Sequence, residues 1–122
     1  MKRNMDLVRQ ILLALKAHED PAGMANVEIE GRQPAEVNSH LTIMAEAGLI
    51  YGQEQTYEAI DDTVWMYVRL TWQGHEFVNA ARDDKRWEEV KRQLAAVGGG
   101  TLPITTKLLS RSVRRDVGLA DA

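Results

Sequence analysis

PAEVNSHLTIMAEAGLIYG, residues 34–52, packs a helix, its stop signal and the start of a strand into one short stretch, and its reading decides the fold. Pro34 suits a first helical turn, where its missing N–H costs no hydrogen bond. Val37, Leu41, Met44 and Ala45 recur at helical spacing and predict an inward stripe running to about Ala47. Gly48 supplies a left-handed stop, and Leu49 and Ile50 open a strand. The residues left facing outward are Glu36, Ser39, Thr42, Ile43 and Glu46, with Asn38 beside them. No Lys or Arg occurs from Pro34 to Gly52.

Upstream, Leu7, Ile11, Leu12 and Leu15 predict a helix from Met5 to His18, ended by EDPAG. NVEIEG alternates Val27 and Ile29 against Asn26, Glu28 and Glu30, the pattern of a short half-buried strand closed by Gly31. Downstream, LIYGQEQTYEA and VWMYVRLT read as a hairpin joined at IDDT. In its second strand Val64, Met66, Val68 and Leu70 share one face, and Trp65, Tyr67 and Arg69 the other. Thr71 is placed to cap one long helix from Trp72 to about Val97, with Phe77, Val78, Ala81, Trp87, Val90 and Leu94 on its apolar side. GGGTLP breaks the chain. A last helix, Pro103 to Val117, turns Ile104, Leu108 and Val113 inward and Lys107, Arg111, Arg114 and Arg115 outward.

The expected class is α+β, mostly helical, in the order helix, short strand, recognition-like helix, β-hairpin wing, long helix, C-terminal helix. Residues 1–97 form the core, and 98–122 add a Gly-rich turn and a basic amphipathic helix to the same domain. The 122-residue length and a composition of 44% hydrophobic and 27% charged residues fit one globular domain. Without cysteine there is no disulfide framework or thiolate ligand, which fits a cytoplasmic setting. No apolar run reaches the ~18 residues of a membrane span. Asp6, Arg9 and Lys16 make the N-terminal stretch an amphipathic helix rather than a signal peptide.

HLTIMAEAGLI (40–50) and RLTWQGHEFV (69–78) resemble the recognition-helix-to-wing and wing-to-helix junctions of bacterial winged-helix regulators of the MarR and PadR kinds. MKRNMDLVRQILLAL, HLTIMAEAGLI, LTWQGHEFVNAARDDKRWEEVK and GGGTLPITTKLL together resemble the family domain of unknown function 2513, from Met1 to about Leu119. That resemblance implies a winged helix and a phage or prophage setting, and it brings no catalytic residues with it. One departure stands out. Only PAGMANVEIEGRQ lies between the first helix and Pro34, so the helix-turn-helix is truncated.

Charge is distributed unevenly. Residues 34–71 hold Arg69 against Glu36, Glu46, Glu54, Glu58, Asp61 and Asp62, a net −5, whereas residues 98–122 carry +2. DNA affinity comes largely from Lys and Arg on phosphates, so an acidic helix and wing disfavour DNA. The leading expectation is a non-enzymatic module that binds a protein partner through Glu36, Ser39, Thr42, Ile43, Glu46, Glu58, Trp65 and Tyr67. The alternative is a small DNA-binding regulator, a homodimer applying Arg32, Lys107, Arg111, Arg114 and Arg115 to phosphates. Dimerisation through terminal helices, with the basic helix beside the acidic wing of a second chain, is expected in either case.

Catalytic arrangements find no support in the sequence. His18 reads as a helix-terminal charge, His40 as packed or hydrogen-bonded, and HEFVN at His75 lacks the second histidine of a zinc-protease helix. Asp61-Asp62 reads as a turn, and Asp83 and Glu88 as partners of nearby bases along a helix. GGGT has no lysine for a phosphate loop. The expectation is therefore no catalytic residue, no metal and no cofactor.

Overall fold

A computed structural model of the chain describes residues 3–18, 20–57, 62–99 and 101–118. Among these are five helices and one two-stranded antiparallel sheet, a mostly helical α+β arrangement. The elements are α1 (Met5–Ala17), α2 (Pro34–Glu46), β1 (Ile50–Tyr57), β2 (Asp62–Leu70), α3 (Trp72–Ala81), α4 (Asp84–Ala96) and α5 (Leu102–Asp116). Two compact units divide within α3, one running up to His75 and the other starting at Glu76.

In the first unit α1 packs against α2 and β2, and α2 packs against both strands. Leu7, Val8, Ile11, Leu12 and Leu15 of α1 are buried, as are Val37, Leu41 and Met44 of α2. The Asn4 side chain caps α1 by accepting from the Leu7 N–H at 3.2 Å. Its backbone N–H donates to His40 Nε2 at 2.9 Å, tying the start of α1 to α2. The other ring nitrogen of His40, Nδ1, lies 2.8 Å from the Glu36 carbonyl. A carbonyl only accepts and an amide N–H only donates, so His40 is the neutral tautomer with its proton on Nδ1. The ring is fully buried and fully used.

A six-to-one and five-to-two pair ends α2: Leu49 N–H donates to the Met44 carbonyl and Gly48 N–H to that of Ala45, each at 3.0 Å. Gly48 holds the φ of +77° that this requires. The chain then enters β1, pairs with β2, and returns to Thr71. The Thr71 hydroxyl donates to the Gly48 carbonyl at 2.6 Å and accepts from the Gly74 N–H at 3.0 Å, capping α3. The Thr71 N–H donates to the Leu49 carbonyl at 3.0 Å. A Cβ on Gly74 would lie 2.1 Å from that same carbonyl oxygen. The stop of α2 and the start of α3 are thus fastened together at the base of the hairpin.

Three expectations are corrected. NVEIEG forms no strand; the contact with β2 is a single bridge, Met24 to Val68, with hydrogen bonds of 2.8 and 2.9 Å. The chain bends away at Ala25, so Val27 is buried and Ile29 half-buried without a ladder. The long helix is two helices: Asp83 is not a surface ion-pair residue but an N-cap, accepting from the Arg86 N–H at 2.9 Å and starting α4 afresh. In α5 the buried positions are Leu102, Thr105, Leu109 and Ser112, while Ile104 is 45% exposed and Leu108 and Val113 are half-buried. Thr105 can be buried because its hydroxyl donates to the Thr101 carbonyl at 2.8 Å.

In the second unit Phe77 and Trp87 meet edge to face, centroids 6.4 Å apart, and α4 packs against α5. Arg86 is its polar hub. It donates to the Ala80 carbonyl at 3.1 Å, to Ser112 Oγ at 3.2 Å and to Asp116 at 2.6 Å.

Gly74→Ala is expected to lower unfolding free energy by about 3 kcal/mol, the upper end for overpacking, because the clash is with the Leu49 backbone. Gly48→Ala, with open space around its Cβ, is expected to cost only about 1–2 kcal/mol for its left-handed conformation. Urea midpoints of the two variants check this; equal losses would mean the Leu49–Gly74 approach relaxes freely.

Candidate functional site

The face formed by α2 and the hairpin is shaped by an irregularity in β2. Tyr51 pairs with Arg69 and Gln53 with Met66, so Tyr67 and Val68 stand opposite the single residue Gly52. Tyr67 takes a φ of +55° there, a left-handed conformation unusual for a tyrosine within a strand. The extra residue reverses the inside-outside alternation. Trp65 therefore shares the buried side with Val68 and Leu70, at 6%, 1% and 7% exposure, while Tyr67 is 44% exposed.

This corrects the expectation that Trp65 and Tyr67 share an outward face. Trp65 is a tether. Its indole N–H donates to Thr42 Oγ1 at 2.9 Å, and its backbone N–H donates to Asn38 Oδ1 at 3.0 Å. Asn38 Nδ2 in turn donates to the Pro34 carbonyl at 3.0 Å, and Thr42 Oγ1 donates to the Asn38 carbonyl at 3.2 Å. The two polar side chains of α2 best suited to outside recognition are thereby engaged with the fold.

The other predicted residues fall as follows. Glu36 is paired with Arg32 at 3.1 Å, both side chains about one-third exposed. Ser39 is half-buried, its hydroxyl donating to the Ala35 carbonyl at 2.8 Å. Ile43 is half-buried, and Glu46 is exposed in the last turn of α2, which carries no base. Glu58 and Asp61 lie outside the described residues. On the hairpin Glu54 is exposed, and Tyr51, 55% exposed, carries the Arg69 guanidinium 4.4 Å from its ring centroid. Tyr51 and Arg69 stand together across the strands on the exposed side of the hairpin. Their cross-strand pairing was hidden because the register depends on the bulge.

The basic residues of α5 divide in two. Lys107, Arg111 and Arg114 are exposed at i, i+4 and i+7, opposite the buried side of the helix. Arg115 instead grips both carboxylate oxygens of Glu89, at 2.9 and 3.0 Å. That hydrogen bond holds the Glu89 carboxyl below its ordinary range, and the Arg86 bond does the same for Asp116. Among the described residues no group of three or more His, Asp or Glu side chains is placed to hold a metal ion. No described helix is long and apolar enough to cross a membrane.

The junction of α2 with β1 and that of β2 with α3, locked through Gly48, Thr71 and Gly74, lie inside residues 2–101, which match a family model described as Hypothetical protein (DUF2513). The chain belongs to the DUF2513 family. This DUF2513 protein is 34% identical over 92 residues to a protein of Haemophilus influenzae (strain Rd) described as an uncharacterized protein; the match spans 75% of this chain and 76% of that relative. No solved structure matches it significantly. The DUF2513 match ends at residue 101, so Lys107, Arg111, Arg114 and Arg115 lie beyond it.

Thr42→Val would leave the buried Trp65 indole N–H without an acceptor, and a loss of about 1–3 kcal/mol in unfolding free energy is expected by urea titration. The acidic limb of stability is also fixed in sign. Because Glu89 and Asp116 titrate lower when folded, their contribution is full above the unfolded carboxylate range and is lost as pH falls through the lowered values. Melting temperatures from neutral pH downward should fall less steeply for Arg115→Ala than for the parent chain; parallel curves would remove the Arg115–Glu89 pair from the explanation.

Proposed function

We propose that this chain is a winged-helix interaction module, without catalytic activity of its own, whose α2-and-hairpin face binds a protein partner rather than DNA. The observation that carries the reading is the double engagement of Trp65 with Asn38 and Thr42. Base reading needs amide or cationic side chains reaching out of the helix. Here the amide of Asn38 is committed to β2 and Pro34, and the nearest cation, Arg32, is committed to Glu36. Of the predicted residues, α2 leaves Glu46 exposed and Ser39 and Ile43 half-buried.

Glu46 supports the reading from another direction. A carboxylate in the last turn opposes the helix dipole by a few tenths of a kcal/mol or more, so the fold gains nothing from it. The hairpin exposes Tyr51, Glu54 and Tyr67. An exposed pair of tyrosines with scattered acids suits a protein surface that is basic at its rim and apolar at its centre. The phage or prophage setting and the cytoplasmic location belong to this proposal as well.

A second reading rests on the exposed stripe Lys107, Arg111 and Arg114. In it a homodimer places two such stripes on phosphates and the protein acts as a DNA-binding regulator. Salt dependence separates the two, since a protein neutralising many phosphates loses ~10³–10⁵ in affinity between ~50 and ~200 mM salt.

Electrophoretic mobility shifts on random duplex at both salts are expected to show at most weak binding. Crosslinking in host lysate is expected to capture a partner with the parent chain and to lose it with Glu46→Lys/Glu54→Lys. Tight, steeply salt-dependent DNA binding, or a partner retained by the charge-reversed chain, would overturn the protein-binding reading.

A further inference from the structure

A second site lies in the first unit, away from the outward residues of α2. A cavity of about 510 Å³ is lined by Leu15, Lys16 and His18 at the end of α1, by Asp20, Pro21 and Gly23 of the following turn, by Val68, Arg69 and Leu70 of β2, and by His75 of α3. Its lining combines the apolar Leu15, Pro21, Val68 and Leu70 with Lys16, His18, Arg69 and His75. We propose that this cavity binds a small phosphate monoester.

The walls are fixed before any ligand arrives. Asp20 Oδ1 accepts from the Ala22 N–H at 2.9 Å and the Asp20 carbonyl accepts from Gly23, which closes the turn. Gly23, at φ +88°, brings that turn against β2 so tightly that a Cβ would lie 2.6 Å from the Tyr67 carbonyl oxygen. The Met24–Val68 bridge pins the next residue. A preformed concave site of this size falls in the ~300–1,000 Å³ range of small-molecule pockets.

Among the described residues neither Lys16 nor Arg69 is paired with a carboxylate: Lys16 donates to His75 Nδ1 at 3.3 Å, and the Arg69 guanidinium rests over Tyr51. Asp20, the one acid among the described residues of the lining, is bonded to the Ala22 N–H within its own turn. Lys16 offsets the partial negative end of α1, but Arg69 comes from a strand, where no helix end asks for it. Because an ammonium only donates, His75 carries its ring proton on Nε2 and keeps one N–H to offer. Two cations and two imidazoles match a phosphate group, with its ≈ −1.5 to −2 charge and three acceptor oxygens, better than a carboxylate. The apolar lining of Leu15, Val68 and Leu70 takes the organic part of the ester.

The test is an NMR titration of the full chain at constant pH, reading the His18 and His75 imidazole signals with phenyl phosphate, inorganic phosphate and succinate. Both signals are expected to move together and saturably with the two phosphates, phenyl phosphate binding more tightly and succinate at least about tenfold more weakly. Lys16→Ala and Arg69→Ala, both at exposed positions, should each weaken phenyl phosphate about ten- to a hundredfold with the amide spectrum kept, and Lys16→Arg should retain binding. Non-saturating shifts, equal binding of succinate, or unchanged affinity in the two alanine variants would each overturn the proposal.

Discussion

The Thr71 hydroxyl is the constraint on which the first unit depends. It donates to the carbonyl that α2 leaves at Gly48 and accepts the N–H that α3 leaves at Gly74. Helix ends carry unsatisfied backbone groups that must find partners when buried, and Thr71 is 5% exposed. One side chain thus answers two orphan groups and joins two helices. An isolated two-stranded hairpin is marginal in water; this one is held at its base by the Thr71 clasp and along its length by α2. The absence of a Cβ at Gly74 permits the approach, because Leu49 O occupies the place where it would stand.

The bulge at Tyr67 is the second constraint, and its consequences run outward from the clasp. By adding one residue to β2 it turns Trp65 toward α2, where Thr42 and Asn38 are waiting as acceptors. It also aligns Val68 to bridge with Met24, which brings the Asp20–Gly23 turn against the strand. A left-handed tyrosine costs on the order of 1–3 kcal/mol. The indole and amide bonds of Trp65 and the Met24–Val68 bridge offset that strain. One irregular residue therefore commits the polar side of α2 and builds a wall of the cavity.

These relations set what could be read in advance. The ends of α1 and α2, the positions of both hairpin strands and the cap at Thr71 were legible because each is a local signal: periodicity, Pro34, Gly48, a threonine before an apolar run. The outward placement of Trp65 was misread because alternation assumes an unbroken register, and nothing in VWMYVRLT marks Tyr67 as left-handed. The break between α3 and α4 hid in ARDDKRW, where Asp83 fits an internal surface pair and an N-cap equally well. The inward side of α5 was displaced because Thr105 and Ser112 are buried with their hydroxyls engaged, and polar residues do not announce themselves as core. The role of Arg86, which depends on Ser112 and Asp116 far along the chain, has no local signature at all.

The same reasoning bears on why an acidic α2 surface need not be an accident of composition. Where a carboxylate serves the fold, the structure shows its partner: Glu36 has Arg32, Glu89 has Arg115, and Asp116 has Arg86. Asp83 and Asp20 serve through backbone N–H groups. Glu46 stands apart from these, exposed at the end of a helix whose dipole disfavours it, with no base in that turn. Glu46 opposes local stability and has no partner among the described residues, and on the proposed reading its partner is a cationic group on another protein. Lys16 and Arg69 pose the mirror-image question at the other site: among the described residues they have no carboxylate, and on the proposed reading a ligand supplies their counter-charge.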